Sequence, residues 1–419
     1  MKKIVISGNK PLLGTITIGG MKNAALPIIF ATVLTGDVCT LENLPDVSDI
    51  STALEIIRRM GATVEKLGVG NYRINTRDVR CGSMPLDLAG SMRGSYYILG
   101  AELGRFGRSV SGLPGGCNFG KRPIDQHIKG FEALGAKVIC SDEAVSCFAD
   151  RSLVGTSIYM DVASVGATCN VMMAATMAEG LTVIDNAARE PHIVDLANFL
   201  NSCGAHISGA GTEVIKIRGV KELHGSTYAI IPDMIEAGTY MLAAAATKST
   251  LTIANVIPRH LEATTAKLVE CGIKVEEGDD FVTVSYQGEF RKARVKTDFY
   301  PGFPTDLNPQ ICVLLCLADG ESILTESVMD NRFKYTDELA RMGAKIQIVG
   351  RDAHITGVPE LHSANVRAVD LRAGAAIVIA ALAAKGTTVI EDIHHIERGY
   401  EDLVGKLRAV GADISVTED

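Results

Sequence analysis

The sequence predicts an α/β protein of two domains, each made of three copies of one βαβαββ-like unit with the most apolar helices innermost. Three observations predict it. First, six segments end in an apolar residue, a glycine and usually an alanine, then turn into a strand. They are Met60-Gly61-Ala62, Leu134-Gly135-Ala136, Cys203-Gly204-Ala205, Cys271-Gly272-Ile273, Met342-Gly343-Ala344 and Val410-Gly411-Ala412. Successive glycines are 74, 69, 68, 71 and 68 residues apart, the mark of one supersecondary unit copied six times. Second, 419 residues exceed one ordinary core, and six units divide naturally into two sets of three. Third, the helices alternate in character. One class is apolar nearly all round, as in Val171-Met172-Met173-Ala174-Ala175, and belongs inside a domain. The other is amphipathic, with Glu55, Arg58 and Arg59 beside Leu54, Ile56 and Ile57.

The elements follow in order. Lys2-Lys3-Ile4-Val5-Ile6-Ser7 alternates as a strand does. In each unit an apolar first helix ends near Gly36, Gly104, Gly180, Lys248, Gly320 or Gly386. A short strand comes next, such as 181–184 or 387–390. A loop with Pro or acidic residues leads to the amphipathic second helix, which stops at the Gly-Ala pair. Glycine just past a helix end takes the left-handed conformation that closes it. No G-x-G-x-x-G loop opens a helix after a strand, so a doubly wound dinucleotide fold is disfavoured.

Composition excludes several classes. Hydrophobic residues make up 47% and charged residues 21%, ordinary for a compact soluble chain. A net charge of −8 argues against general nucleic-acid or membrane-surface binding. No secretory leader or span-length apolar run is evident, 373–384 being the nearest approach. The ten cysteines show neither a CxxC pair nor a disulfide framework, so a reduced, cytoplasmic protein is expected. The histidines, His394-His395 included, have no metal-ligand spacing, and no metal is expected.

The repeat also serves as a ruler. At 36 to 42 residues before each anchor glycine stand Lys22-Asn23, Arg93, Ser164-Val165-Gly166, Glu236, Asp306 and Arg372. At 11 to 14 residues before it stand Asp49, Arg122, Glu190, Arg259, Arg332 and Arg398. These are predicted helix starts, where the dipole favours anions and a cation is out of place by a few tenths to about 1 kcal/mol. Any one such Arg reads as a solvated loop charge. Recurring at equivalent positions, they imply an anionic ligand, and Arg forks suit carboxylate and phosphate. The segment Leu113-Pro114-Gly115-Gly116-Cys117-Asn118-Phe119-Gly120-Lys121-Arg122 adds a glycine-flanked cysteine beside two cations, conditions that favour the thiolate. Asp306 is the acidic group among basic starts, either a plain helix-start carboxylate or a general base.

These residues resemble the UDP-N-acetylglucosamine 1-carboxyvinyltransferases (the MurA family), enolpyruvyl transferases of the first committed step of peptidoglycan synthesis. The resemblance runs from end to end. It is carried by Lys22-Asn23-Ala24-Ala25-Leu26-Pro27, by the Gly-Gly-Cys117-x-x-Gly-x-Arg122-Pro123-x-Asp125 loop and by Phe303-Pro304-Thr305-Asp306. Asn331-Arg332-Phe333, Asp370-Leu371-Arg372 and Arg398-Gly399-Tyr400-Glu401 extend it. The sister transferase of the shikimate pathway shares the six-unit fold but lacks the cysteine, and the segment Pro123-Ile124-Asp125 argues against it.

The resemblance implies two inside-out α/β barrel domains, residues 22–231 and residues 1–21 with 232–419, and an active site in the cleft where they close. It implies transfer of the enolpyruvyl group of phosphoenolpyruvate to the 3-hydroxyl of UDP-N-acetylglucosamine, with no metal or organic cofactor. Lys22, Asn23, Arg122 and Arg398 would hold phosphoenolpyruvate, with Arg332 and Arg372 near its carboxylate. Cys117 would be the general acid, able to form a covalent adduct and open to alkylation by fosfomycin. Asp306 would help deprotonate the sugar hydroxyl, with Lys22 and Arg398 also counted as catalytic. Arg93, Arg122, Pro123, Ile124, Asp125, Gln126, Ser164, Val165, Gly166 and Val328 would line the sugar nucleotide. The expected partners are those two small molecules, and a monomer is the expected state. Val162 departs from the family's lysine, Gln126 from an apolar residue, Phe119 from a branched aliphatic and Gly94 from alanine. A catalytically silent, UDP-sugar-binding paralogue is the alternative; the intact Lys22, Cys117, Arg122, Asp306 and Arg398 disfavour it.

Overall fold

The computed structural model describes residues 2–90, 92–112 and 124–418. Chain contacts divide it into two units, Gly20–Ile231 and the combination of Met1–Gly19 with Pro232–Asp419.

In the Gly20–Ile231 unit, three apolar helices are central: Lys22–Thr35, Tyr97–Phe106 and Val165–Thr176. Their close approach depends on small residues. A methyl group on Gly100 would come within 2.3 Å of the Asn170 carbonyl oxygen, and one on Gly104 within 2.8 Å of Leu34. Gly104 lies in the last turn of its helix, which ends at Phe106, near the expected place. Gly107, at φ 67°, is the residue that closes that helix. The amphipathic helices Ser48–Arg59, Asp125–Ala133 and Pro191–Ser202 accompany them, each turning an apolar face inward.

Three sheets complete the unit. Val38–Glu42 pairs antiparallel with Asn71–Asn75 and parallel with Thr227–Ala229, and Thr63–Gly68 forms the edge. Leu181–Asp185 stands in the same relation to Val214–Arg218 and Ser157–Tyr159. The sheet of Arg108–Gly112, Ala144–Phe148 and Lys137–Cys140 has no parallel fourth strand among the described residues. The stretch that would supply it turns instead through the short helix Leu86–Ala89.

The other unit repeats the plan with central helices Met234–Ala246, Asn308–Cys316 and Leu371–Ala383 and outer helices Glu262–Glu270, Thr336–Arg341 and Leu403–Ala409. Its three sheets have four strands each. In one, Lys2–Ser7 lies between Thr387–Glu391 and Asp413–Glu418, with Lys2 opposite Glu418. In another, Leu13–Thr17 runs parallel to Thr250–Ala254. The fold is thus α/β with helices innermost. The strands form separate small sheets, and no closed barrel occurs among the described residues.

All six Gly-Ala stops are built identically. Gly61, Gly135, Gly204, Gly272, Gly343 and Gly411 have φ between 87° and 111°. In each, the glycine N–H bonds three residues back and the next N–H five residues back, as in Gly411 to Arg408 and Ala412 to Leu407. This double closure satisfies carbonyls that the helix end leaves open, and it demands the left-handed residue.

Candidate active site

In the Gly20–Ile231 unit, Lys22 is the first residue of its helix and is buried. A buried ammonium needs a partner. Asp49, near the start of the second helix, supplies it: Lys22 Nζ donates to Asp49 Oδ2 at 2.9 Å. The ruler had placed the two residues at the two kinds of helix start, and folding brings them together. Asn23 beside Lys22 is half-buried.

A second cluster of that unit gathers Arg93, Asp125, Gln126 and the 164–166 turn. Arg93 opens a single 3₁₀ turn, Arg93–Tyr96, ahead of its helix. Ser164 caps the helix Val165–Thr176, its Oγ accepting from Ala167 N at 3.4 Å, and no acidic side chain occupies the first turn. That leaves an anion-favouring helix end. A methyl on Gly166 would lie 3.0 Å from His127 Nε2, a tight approach. His127 itself is 5% exposed, edge-on to Tyr96. Burial, aided by Arg93, pushes the imidazole down to about 4, so it is neutral at physiological pH. Nothing in the sequence singled out His127; its position two residues after Asp125 was the available signal.

The other unit holds Asp306, Arg332 and Arg372. Asp306 lies in the 3₁₀ turn Thr305–Leu307. Arg372 follows the N-cap Asp370, whose Oδ1 accepts from the N–H groups of Arg372 and Ala373 at 2.8 and 2.9 Å. From there its Nε and Nη2 donate to Asp306 Oδ2 at 3.1 and 3.0 Å. Arg332 Nη2 lies 3.7 Å from Asp306 Oδ1 and donates to the Thr305 carbonyl at 3.1 Å. The two arginines are 3% and 4% exposed, while the Asp306 side chain is 26% exposed. Burial opposes the charge on Arg372, but Asp306 more than restores it, and the guanidinium is held above its ordinary range. Arg372 also lies over the Tyr400 ring, 5.4 Å from its centroid. The result is a half-open anion held by two buried cations.

Glu326, unmarked in the sequence reading, organises this turn. Its buried carboxylate accepts from Thr305 Oγ1 at 3.0 Å and Asn308 Nδ2 at 2.9 Å on one oxygen. On the other it accepts from Val328 N at 2.9 Å and Met329 N at 2.8 Å, which fixes Val328. Arg398 ends the 3₁₀ segment Ile393–Arg398, five residues before its α-helix begins at Leu403. Arg259 and Arg332 also occupy 3₁₀ turns ahead of the α-helix. These three cations therefore precede the α-helix and do not occupy its first turn, where the dipole acts. Cys117, Arg122 and Pro123 lie outside the described residues.

Residues 6–407 match the family model of EPSP synthase (3-phosphoshikimate 1-carboxyvinyltransferase). A UDP-N-acetylglucosamine 1-carboxyvinyltransferase 3 from Caldanaerobacter subterraneus is 52% identical over 99% of both chains. The chain belongs to the UDP-N-acetylglucosamine 1-carboxyvinyltransferase family of enolpyruvyl transferases. A Bacillus subtilis relative, UDP-N-acetylglucosamine 1-carboxyvinyltransferase 2, is 50% identical over 99% of this chain and 96% of its own. Among solved structures, the enolpyruvyl transferase NikO from Streptomyces tendae superposes with a TM-score of 0.90 at 26% identity, covering 99% of each chain. EPSP synthase from Acinetobacter baumannii superposes at 0.77 over the whole of both chains with 19% identity, a likeness of fold alone. No helix among the described residues of the transferase is long and apolar enough to cross a membrane, and no group of metal-ligating side chains occurs among them.

Proposed function

We propose that this chain transfers the enolpyruvyl group of phosphoenolpyruvate to the 3-hydroxyl of UDP-N-acetylglucosamine and releases phosphate, in the cytoplasm, as the committing step of peptidoglycan synthesis. The observation that carries the reading is Asp306, a half-exposed carboxylate held by Arg332 and Arg372, in a chain half identical to transferases of that name. In the Gly20–Ile231 unit the substrate-binding and catalytic groups are Lys22, Asn23, Arg93, Cys117, Arg122 and residues 123–125 and 164–166; in the other unit they are Asp306, Val328, Arg332, Arg372 and Arg398.

The chemistry is an addition followed by an elimination. The sugar oxygen bonds to C2 of phosphoenolpyruvate while its proton passes to Asp306. Cys117 delivers a proton to C3, giving a tetrahedral adduct. Return of a proton from C3 to the Cys117 thiolate and departure of phosphate from C2 then regenerate the double bond and the thiol. Fixed cations stabilise the departing phosphate.

The decisive assay is phosphate release from phosphoenolpyruvate. Release should require UDP-N-acetylglucosamine, disappear in Cys117→Ala near neutral pH and persist in Cys117→Asp, because a carboxylic acid also delivers a proton. Folded protein that releases no phosphate with both substrates present rules the reading out.

A further inference from the structure

Helix Asp125–Ala133 and the segment leading to Ser164 are joined by a side-chain latch that involves no backbone pairing of strands. Gln126 and Lys129 are three residues apart and so share one helix face. Both reach Asp161. Gln126 Oε1 accepts from Asp161 N at 2.8 Å, and its Nε2 donates to Asp161 Oδ2 at 3.1 Å. The same Nε2 donates to Asp125 Oδ2 at 2.8 Å. Lys129 Nζ donates to Asp161 Oδ1 at 2.7 Å and lies 5.8 Å from the Tyr159 ring centroid. Gln126 is 6% exposed, and these three bonds engage both ends of its amide. His127 packs against Gly166 from the intervening position. Three residues of one helix turn thus fix the stretch 161–166, including the Ser164 cap.

From this geometry we infer that the Gln126 side chain is a positioning group for the sugar nucleotide: it acts through Asp161, setting the distance between Asp125 and the Ser164–Gly166 helix start, and its amide does not itself contact the ligand. The inference rests on the proposed binding of UDP-N-acetylglucosamine to this unit. The resemblance implies that Gln126 lines the sugar nucleotide; the inference assigns its side chain the supporting role. The physical reason is occupancy: an amide whose carbonyl and amino groups are both engaged by Asp125 and Asp161 has little left to offer a base. A Gln side chain at this place also makes the latch polar and directional, so its length sets the spacing.

The test is a double-mutant cycle on the full chain, reading the calorimetric Kd of UDP-N-acetylglucosamine and the kcat and KM of phosphate release. Wild-type protein that fails to bind the sugar nucleotide removes the functional reading itself. Given wild-type binding, Gln126→Leu and Asp161→Ala should each weaken it about tenfold, the scale of one or two hydrogen bonds. The double variant should be no worse than about threefold beyond either, because both remove one latch. The KM for phosphoenolpyruvate and kcat should stay within about twofold, and Gln126→Glu should not rescue, since it sets a third carboxylate beside Asp125 and Asp161. Additive losses, or a loss in Gln126→Leu that Asp161→Ala does not share, mean that Gln126 touches the ligand directly and overturn the inference. So does unchanged affinity in Gln126→Leu. Thermal midpoints of all variants separate this from general unfolding, as Lys129→Ala does by opening the latch from its exposed side.

Discussion

Single residues show the division of labour between folding and chemistry. Asp306 is held by Arg332 and Arg372, and the sequence marked all three. Asp306→Asn keeps the shape but removes the base and the charge that compensates two buried guanidinium groups, so turnover should fall about 10²- to 10⁴-fold and the denaturation midpoint should fall with it. A variant with near-wild-type kcat would remove Asp306 from the mechanism. Asp195 is a contrasting carboxyl with no assigned chemistry. Burial pushes it up to about 6 from an ordinary 3.8, against the bonds it accepts from the Tyr228 hydroxyl and Ile231 N–H. The folded state then binds the proton more tightly than the unfolded one, so this group's contribution to stability falls as pH rises from about 4 to about 6. Asp195→Asn should remove that fall. Urea titrations of both proteins across this range read it, and curves that stay parallel would refute the assignment. What the sequence hid at this scale were partners distant along the chain. Glu326, Asp161 and His127 carry no local signature, because each matters only through residues that folding brings to it.

The elements were more legible, since glycine and apolar periodicity are local signals. All six Gly-Ala stops have the predicted left-handed glycine. The glycines nonetheless do two kinds of work, which substitution separates. Gly135 has open space where a methyl group would go but a φ of 95°, so Gly135→Ala should cost only the backbone strain, about 1–2 kcal/mol. Gly100 has helical backbone, yet its added methyl would meet Asn170 backbone at 2.3 Å. Gly100→Ala should cost about 1–3 kcal/mol by pushing two central helices apart, despite the better helix propensity of alanine. Chemical denaturation of the pair checks this; a stabilised Gly100→Ala would show that the helices yield freely. The 3₁₀ turns that carry Asp306, Arg332 and Arg398 escaped the reading, because a single tight turn has too few residues to display a period.

For the whole molecule, the period of about 70 residues announced six units, and the pairing of strands decides which pieces stand alone. Gly20–Ile231 contains every strand of its sheets. Residues 232–419 lack Leu13–Thr17 and, more seriously, the internal strand Lys2–Ser7. Without it the strands Thr387–Glu391 and Asp413–Glu418 each lose a neighbour, exposing backbone groups that need pairing. A fragment 20–231 should therefore melt cooperatively, whereas 232–419 should do so only with residues 1–19 supplied. A cooperative transition in 232–419 by itself would contradict this. The resemblance implies crossings of the chain near Gly20–Lys22 and Ile231–Pro232. Periodicity alone gives no sign of which sheet the first strands join, because their partners lie more than 200 residues away.

The position of Lys2–Ser7 against Asp413–Glu418 also sets a timetable for synthesis. Lys2–Ser7 is synthesised several hundred residues before the strands it pairs with, Thr387–Glu391 and Asp413–Glu418. At about 5–20 residues per second it waits on the order of 20–80 s for them. In that interval Gly20–Ile231 can finish folding, while an apolar strand already outside the ribosome keeps an open edge. Lys2 and Lys3, placed just ahead of Ile4-Val5-Ile6, are the kind of charged flank that discourages such an edge from pairing with a neighbouring nascent chain.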